Sequence, residues 1–142
     1  MRVKFKPKRL SVGGAYTSFP EVHGVVVRVG ARTSPPLRLI VDTGSSATLL
    51  PWWVATTLGI HATLPTAPAA SFVFGSGGVS ARQAVVDIDV ASHVLSAVPV
   101  FFVPDVPSIA GRDGLLGQHG FFDRVKLVQL HDRVPPYFYL DL

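Results

Sequence analysis

Cysteine is absent from this chain of 142 residues. That removes disulfide scaffolds, thiolate metal sites and cysteine catalysis together. Charge is scarce as well, with 15% charged residues against 48% hydrophobic, a balance foreign to disordered chains. No apolar run reaches bilayer length. No apolar segment follows the charged start Met1 to Arg9, so the N-terminus does not read as a signal peptide and a cytoplasmic protein is expected. No glycine is followed by Lys and then Ser or Thr, which excludes the phosphate-binding loop. No Gly-x-Ser-x-Gly elbow is present for a serine hydrolase. The five histidines (His23, His61, His93, His119 and His131) are scattered without a helical pair at metal spacing, so no metal site is expected.

What is present is glycine (13), proline (12) and recurrent valine. These describe many short strands joined by turns, so a mostly β domain with one core. The net charge of +4 is concentrated at the start, where Arg2, Lys4, Lys6, Lys8 and Arg9 stand in the first nine residues. Residues 1–18 read as a basic N-terminal arm, a solvated tail or an edge strand with its lysines alternating outward. No aromatic platform accompanies the charges, so nucleic acid is not an expected partner. Residues 19–142 form the expected domain.

Within that domain, Glu21 to Val29 and Leu37 to Val41 read as strands. The second runs directly into Asp42-Thr43-Gly44-Ser45-Ser46. A carboxylate at the end of an apolar strand is costly to bury. Here it sits on a turn that glycine can bend and that hydroxyl side chains can brace. The pattern fits a positioned acid or base, and equally an ordinary strand-to-turn aspartate. A short helix is predicted over Pro51 to Leu58, with Gly59 after its end. Ser71 to Phe74 and Val79 to Val90 flank Gly75-Ser76-Gly77-Gly78 and predict a long hairpin. That glycine run only partly imitates a dinucleotide loop, because Ser80 replaces the third glycine and a strand follows. A hairpin turn at Ala91 to His93 leads to an apolar strand over Val98 to Val103. Leu115-Leu116-Gly117 is a short apolar step. One or two helical turns are expected over Gln118 to Arg124, with strands over Val125 to Leu130 and Tyr137 to Leu142. Asp113 reads as a loop aspartate.

Asp42-Thr43-Gly44-Ser45 resembles the aspartic proteases, and the order of features resembles their single-domain, retropepsin-like branch. The apolar strand precedes the motif, the glycine-tipped hairpin stands at the place of the flap, and Leu115-Leu116-Gly117 stands at the place of the family's hydrophobic-hydrophobic-glycine step. The resemblance covers about residues 21 to 142. It implies a mostly β acid-protease barrel with one or two short helices and a flap hairpin. It also implies an aspartic endopeptidase that cleaves extended peptides without metal or organic cofactor.

Acid–base hydrolysis by carboxylates needs two of them close together. The chain carries a single Asp-Thr-Gly, so the second Asp42 is expected from a homodimer partner across a two-fold axis. By resemblance, each Asp42 handles water or the scissile carbonyl, Thr43 braces the two loops across the axis, and Gly44 leaves room for the substrate backbone. Ser45 and Ser46 line the floor, and Gly75, Ser76, Gly77 and Gly78 fold over the peptide. Association is expected to bury Tyr137 to Leu142 in an interfacial sheet. Trp52, Trp53, Phe72, Phe74, Phe101 and Phe102 are candidate apolar walls. The alternative is a catalytically silent retropepsin-fold module for dimerisation or peptide binding, since a fold does not fix a function.

Overall fold

The computed structural model describes residues 2–5, 8–12, 15–74, 77–104, 113–131 and 137–142. The strands run β1 (Arg2–Phe5), β2 (Lys8–Val12), β3 (Ala15–Phe19), β4 (Glu21–Val29), β5 (Arg32–Thr33), β6 (Leu37–Val41) and β7 (Leu49–Pro51). Helix α1 (Trp52–Thr57) follows, then a 3-10 turn at Leu64–Thr66. The chain continues through β8 (Ala69–Phe74), β9 (Gly77–Val90), β10 (His93–Val103), β11 (Leu115–Leu116), β12 (Lys126–His131) and β13 (Tyr137–Asp141). The fold is therefore mostly β, as the composition implies.

Strands β4, β6, β11, β7, β10 and β9 are neighbours in that order, and β9 also pairs with β4. That last pairing, Val26 with Asp89 through Arg28 with Asp87, closes the ring into a six-stranded barrel. Closure removes the open edges that a free sheet would expose. Alternate residues of each strand fill the interior. Val25 and Val27 of β4, Leu37, Leu39 and Val41 of β6, Val86, Ile88 and Val90 of β9, and Val98, Val100 and Phe102 of β10 belong to one buried cluster. Leu50 and Leu116 join it from β7 and β11, and Val54 and Ala55 of α1 cover it together with Leu58 just after the helix. Each of the valine, leucine, isoleucine and phenylalanine side chains contributes about 1.5–3 kcal/mol by leaving water.

Two bulges keep the alternation in phase. The register of β4 shifts between His23 and Val25, where Gly24 has φ +71°. The extra residue lets Val22 and Val25 both face inward, and only glycine takes that conformation cheaply. In β10 the shift falls between Leu95 and Val98. Ala97 takes φ 54° there, its N–H donating to Asp87 Oδ1 at 2.8 Å and its carbonyl accepting from Arg124 at 2.8 Å. The β9–β10 turn places Ala91 and Ser92 both at positive φ, the backbone of a two-residue hairpin turn.

Outside the barrel, β2 and β3 pair with each other, and β1, β13 and β12 form a three-stranded sheet in that order. Phe5 stacks on Phe138 with ring centres 5.2 Å apart, and Lys4 Nζ lies 4.1 Å from the Tyr137 ring centre. β13 is thus paired on both edges within its own chain. A sheet shared between two subunits would have to extend from β1 or β12.

The helical turns expected over Gln118 to Arg124 are not helical. Gly120 has φ +97°, outside any right-handed helix. Phe122 N–H donates to Gly117 O and Asp123 N–H to Gln118 O, both at 3.1 Å, and Arg124 and Val125 N–H both donate to Phe121 O at 2.9 Å, so the segment is a run of turns of different widths. Among the described residues, no helix is long and apolar enough to cross a membrane.

Candidate active site

β11 wedges between β6 and β7. It runs parallel to β6, with Leu115 opposite Ile40 and Leu116 opposite Val41, and antiparallel to β7, with Leu115 opposite Leu49. The segment from Asp42 to Thr48, which joins β6 to β7, therefore has to loop around the end of β11. Asp42 stands where that loop begins. Its N–H donates to Leu116 O at 3.0 Å, and the Val41 N–H before it donates to Pro20 O at 2.8 Å. The backbone that delivers the carboxylate is thus held from both sides.

Strand alternation splits the apolar residues beneath the site. Leu39 and Val41 point into the barrel. Ile40 points to the opposite face, where it joins Ala47, Leu49 and Leu115, with Phe72 and Phe101 packed against them. The two phenylalanines meet edge-to-face at 5.1 Å. β8, the first strand of the glycine-tipped hairpin, is thereby tied through Phe72 to the face beside Asp42. The hairpin is paired as far as Phe74 opposite Gly77, with Gly77 and Gly78 on β9. Gly75 and Ser76 lie outside the described residues.

Asp42 is half-buried. Its Oδ1 accepts the Gly44 N–H at 2.9 Å, and its carbonyl accepts the Ser45 N–H at 3.2 Å. The carboxylate is so aimed by its own turn. A Cβ at Gly44 would stand 3.2 Å from that same oxygen, so the glycine leaves space at the acid. Thr43, Gly44 and Ser46 are exposed. The Ser45 hydroxyl is committed inside the loop, donating to Ala47 O at 2.8 Å.

The segment after β11 holds this loop in place. Gln118 N–H donates to Ser45 O at 2.9 Å, His119 N–H to Ser46 O at 3.0 Å, and Thr48 N–H to His119 O at 3.0 Å. Thr48, fully buried, accepts the Gly117 N–H on its hydroxyl at 3.2 Å. The Gln118 side chain donates from Nε2 to Thr43 O at 2.7 Å. The sequence reading did not single out Thr48, and it gave Gln118 no partner. The signal lay in the polar residue after Leu115-Leu116-Gly117 and in a hydroxyl amid apolar neighbours.

The aromatic candidates divide. Phe72 and Phe101 share the face beside Asp42. Phe102 does not, because it is fully buried in the barrel: neighbours along a strand point to opposite faces. Trp52 packs on the barrel core and Trp53 is 43% exposed on α1. Phe74 ends β8, and its side chain is not among those described. Asp113 is a clamp on β6, accepting the Arg38 N–H at 2.8 Å while its own N–H donates to Arg38 O at 2.8 Å. A buried carboxylate the sequence reading passed over is Glu21, whose Oε1 lies 2.7 Å from His23 Nε2. Among the described residues, no three His, Asp or Glu side chains gather to hold a metal ion.

Comparison with known proteins bears on the family and the fold. Residues 25–119 match the model of a family described as aspartyl protease. The structure is similar to that of a retropepsin-like aspartic protease from Rickettsia conorii, with a TM-score of 0.62, 13% identity, and 98% of each chain covered. At that identity the likeness establishes the fold. EIAV protease in complex with the inhibitor HBY-793 also matches, with a TM-score of 0.48, 16% identity, and 70% of this chain and 82% of that chain covered. No curated protein matches the sequence.

Proposed function

We propose that this chain, which belongs to the aspartyl protease family and has the retropepsin-like fold, is an endopeptidase working through a pair of Asp42 carboxylates across a homodimer axis. The observation that carries this reading is the Asp42 turn. A half-buried carboxylate is fixed at the end of a core strand, with its Oδ1 held by the Gly44 N–H at 2.9 Å and its approach left open by glycine.

One carboxylate does not complete the chemistry. Two side by side do not both ionise, a behaviour for which aspartic proteases are the reference case. The ionised member takes a proton from the attacking water, and the protonated member donates to the carbonyl oxygen of the scissile bond. Thr43 stands next to Asp42 on the exposed rim and is suited to brace the partner loop. An extended peptide lies against the face carrying Phe72 and Phe101, with the hairpin of β8 and β9 closing over it and excluding water. The two aromatic edges favour hydrophobic residues flanking the cut. No metal or organic cofactor takes part in this scheme.

The test compares wild type with Asp42→Asn on a mixed peptide library from acid to neutral pH. Wild type is expected to cleave next to hydrophobic residues. The variant, folded and associating as wild type does, is expected to lose at least about three orders of magnitude in rate, as follows when a catalytic group that acts in a unit is removed. Equal cleavage by both would place the chemistry elsewhere. No cleavage by either would leave a binding or dimerisation module. Cuts flanked mainly by charged residues would reject the aromatic subsite.

A further inference from the structure

The peptide group between Thr43 and Gly44 is gripped at both of its polar ends. Its N–H donates to Asp42 Oδ1 at 2.9 Å, and its carbonyl accepts from Gln118 Nε2 at 2.7 Å. A carbonyl only accepts, so the nitrogen of the Gln118 amide is the atom that faces it. The two hydrogen bonds meet through one conjugated amide. Drawing electron density toward the carbonyl oxygen makes the N–H at the other end a stronger donor.

Gln118 is itself a fixed post. Its own N–H is bonded to Ser45 O at 2.9 Å, and it follows Gly117, where a Cβ would collide with the carbonyl of Ala47. The distance in sequence is 75 residues, so the contact exists only because β11 is inserted beside β6. Building on the endopeptidase reading, we propose that Gln118 is a positioning residue for Asp42. Its side-chain amide holds the Thr43–Gly44 peptide plane in the orientation that aims the Gly44 N–H at the carboxylate. It thereby fixes the direction in which the acid meets water and its partner, without touching substrate.

Gln118→Met tests this, because it keeps the length of the side chain and removes the donor. The kcat of the variant is expected to fall about three- to ten-fold, the effect of losing one neutral hydrogen bond. KM for the same peptide and the cleavage-site preference should stay as in wild type, since no subsite is altered. In amide NMR spectra the Gly44 proton should move upfield as its bond to Asp42 weakens, with thermal stability and dimerisation held. Wild-type kcat in the variant overturns the proposal. So does a kcat loss that leaves the Gly44 resonance in place, or one that comes with a raised KM, lost association or a lower melting temperature. If wild type does not cleave either, the endopeptidase reading fails and the proposal falls with it. If wild type cleaves and Gln118→Met cleaves as fast, only the role of Gln118 is overturned.

Discussion

Gly117 shows how little room the site leaves for one extra carbon. A Cβ there would run into the carbonyl oxygen and carbon of Ala47. Both are backbone atoms of the loop that carries Ser45 and Ser46, and they cannot swing aside as a side chain would. Gly117→Ala is therefore expected to destabilise the fold by about 1–3 kcal/mol or more, the range for overpacking. It should also reduce cleavage, because the loop can yield only by moving Asp42's neighbours. Urea unfolding and peptide turnover measure the two effects; a variant as stable as wild type would show that the loop has slack. At this scale the Asp42 turn was legible in the sequence, since the apolar run Leu37 to Val41 ends at a carboxylate and Thr43-Gly44 marks the turn that follows. The hydrogen bond from the Gln118 amide to Thr43 O was not legible. Its two ends become neighbours only through tertiary pairing.

Among the elements, the two-residue strand β11 has an influence out of proportion to its length. Leu116 is fully buried in the barrel core, and Leu115 is buried on the opposite face. The same strand supplies the Leu116 carbonyl that holds Asp42 N–H at 3.0 Å. Leu116→Ala is expected to cost about 2–5 kcal/mol, the range for emptying a leucine site in a packed core. Thermal or denaturant unfolding would show it; a loss below about 1 kcal/mol would mean that the core collapses around the gap.

Runs of β-branched and apolar residues between glycine or proline boundaries identified β4 and β6 with their observed ends. The one or two helical turns expected over Gln118 to Arg124 were overruled at Gly120, the residue that weakens a helix there. Its left-handed backbone is paired with an N–H donated to Asp123 Oδ2 at 3.1 Å. A local side-chain acceptor competes there with the helical ladder. Phe102 was misplaced among the groove walls for a different reason: composition does not say which face of a strand a residue takes, and the bulge at Ala97 resets the phase.

For the whole molecule, β4 and β9 close the barrel within one chain, whereas the proposed dyad needs two. One chain builds one Asp42 turn. The sheet expected to join two chains has its central strand, β13, already paired on both sides by β1 and β12. Light scattering at micromolar concentration is expected to give the mass of a dimer, and a strict monomer that still cleaves peptides would remove the shared dyad. A sharper test mixes wild type with Asp42→Asn under conditions where subunits exchange, and follows peptide turnover at constant total protein. If each active site needs an Asp42 from both chains, activity falls as the square of the wild-type fraction. An equal mixture then retains about one quarter of the wild-type rate, as random pairing across a two-fold axis requires. A linear fall, to about one half at the same point, would mean that each Asp42 works alone and would contradict the shared dyad.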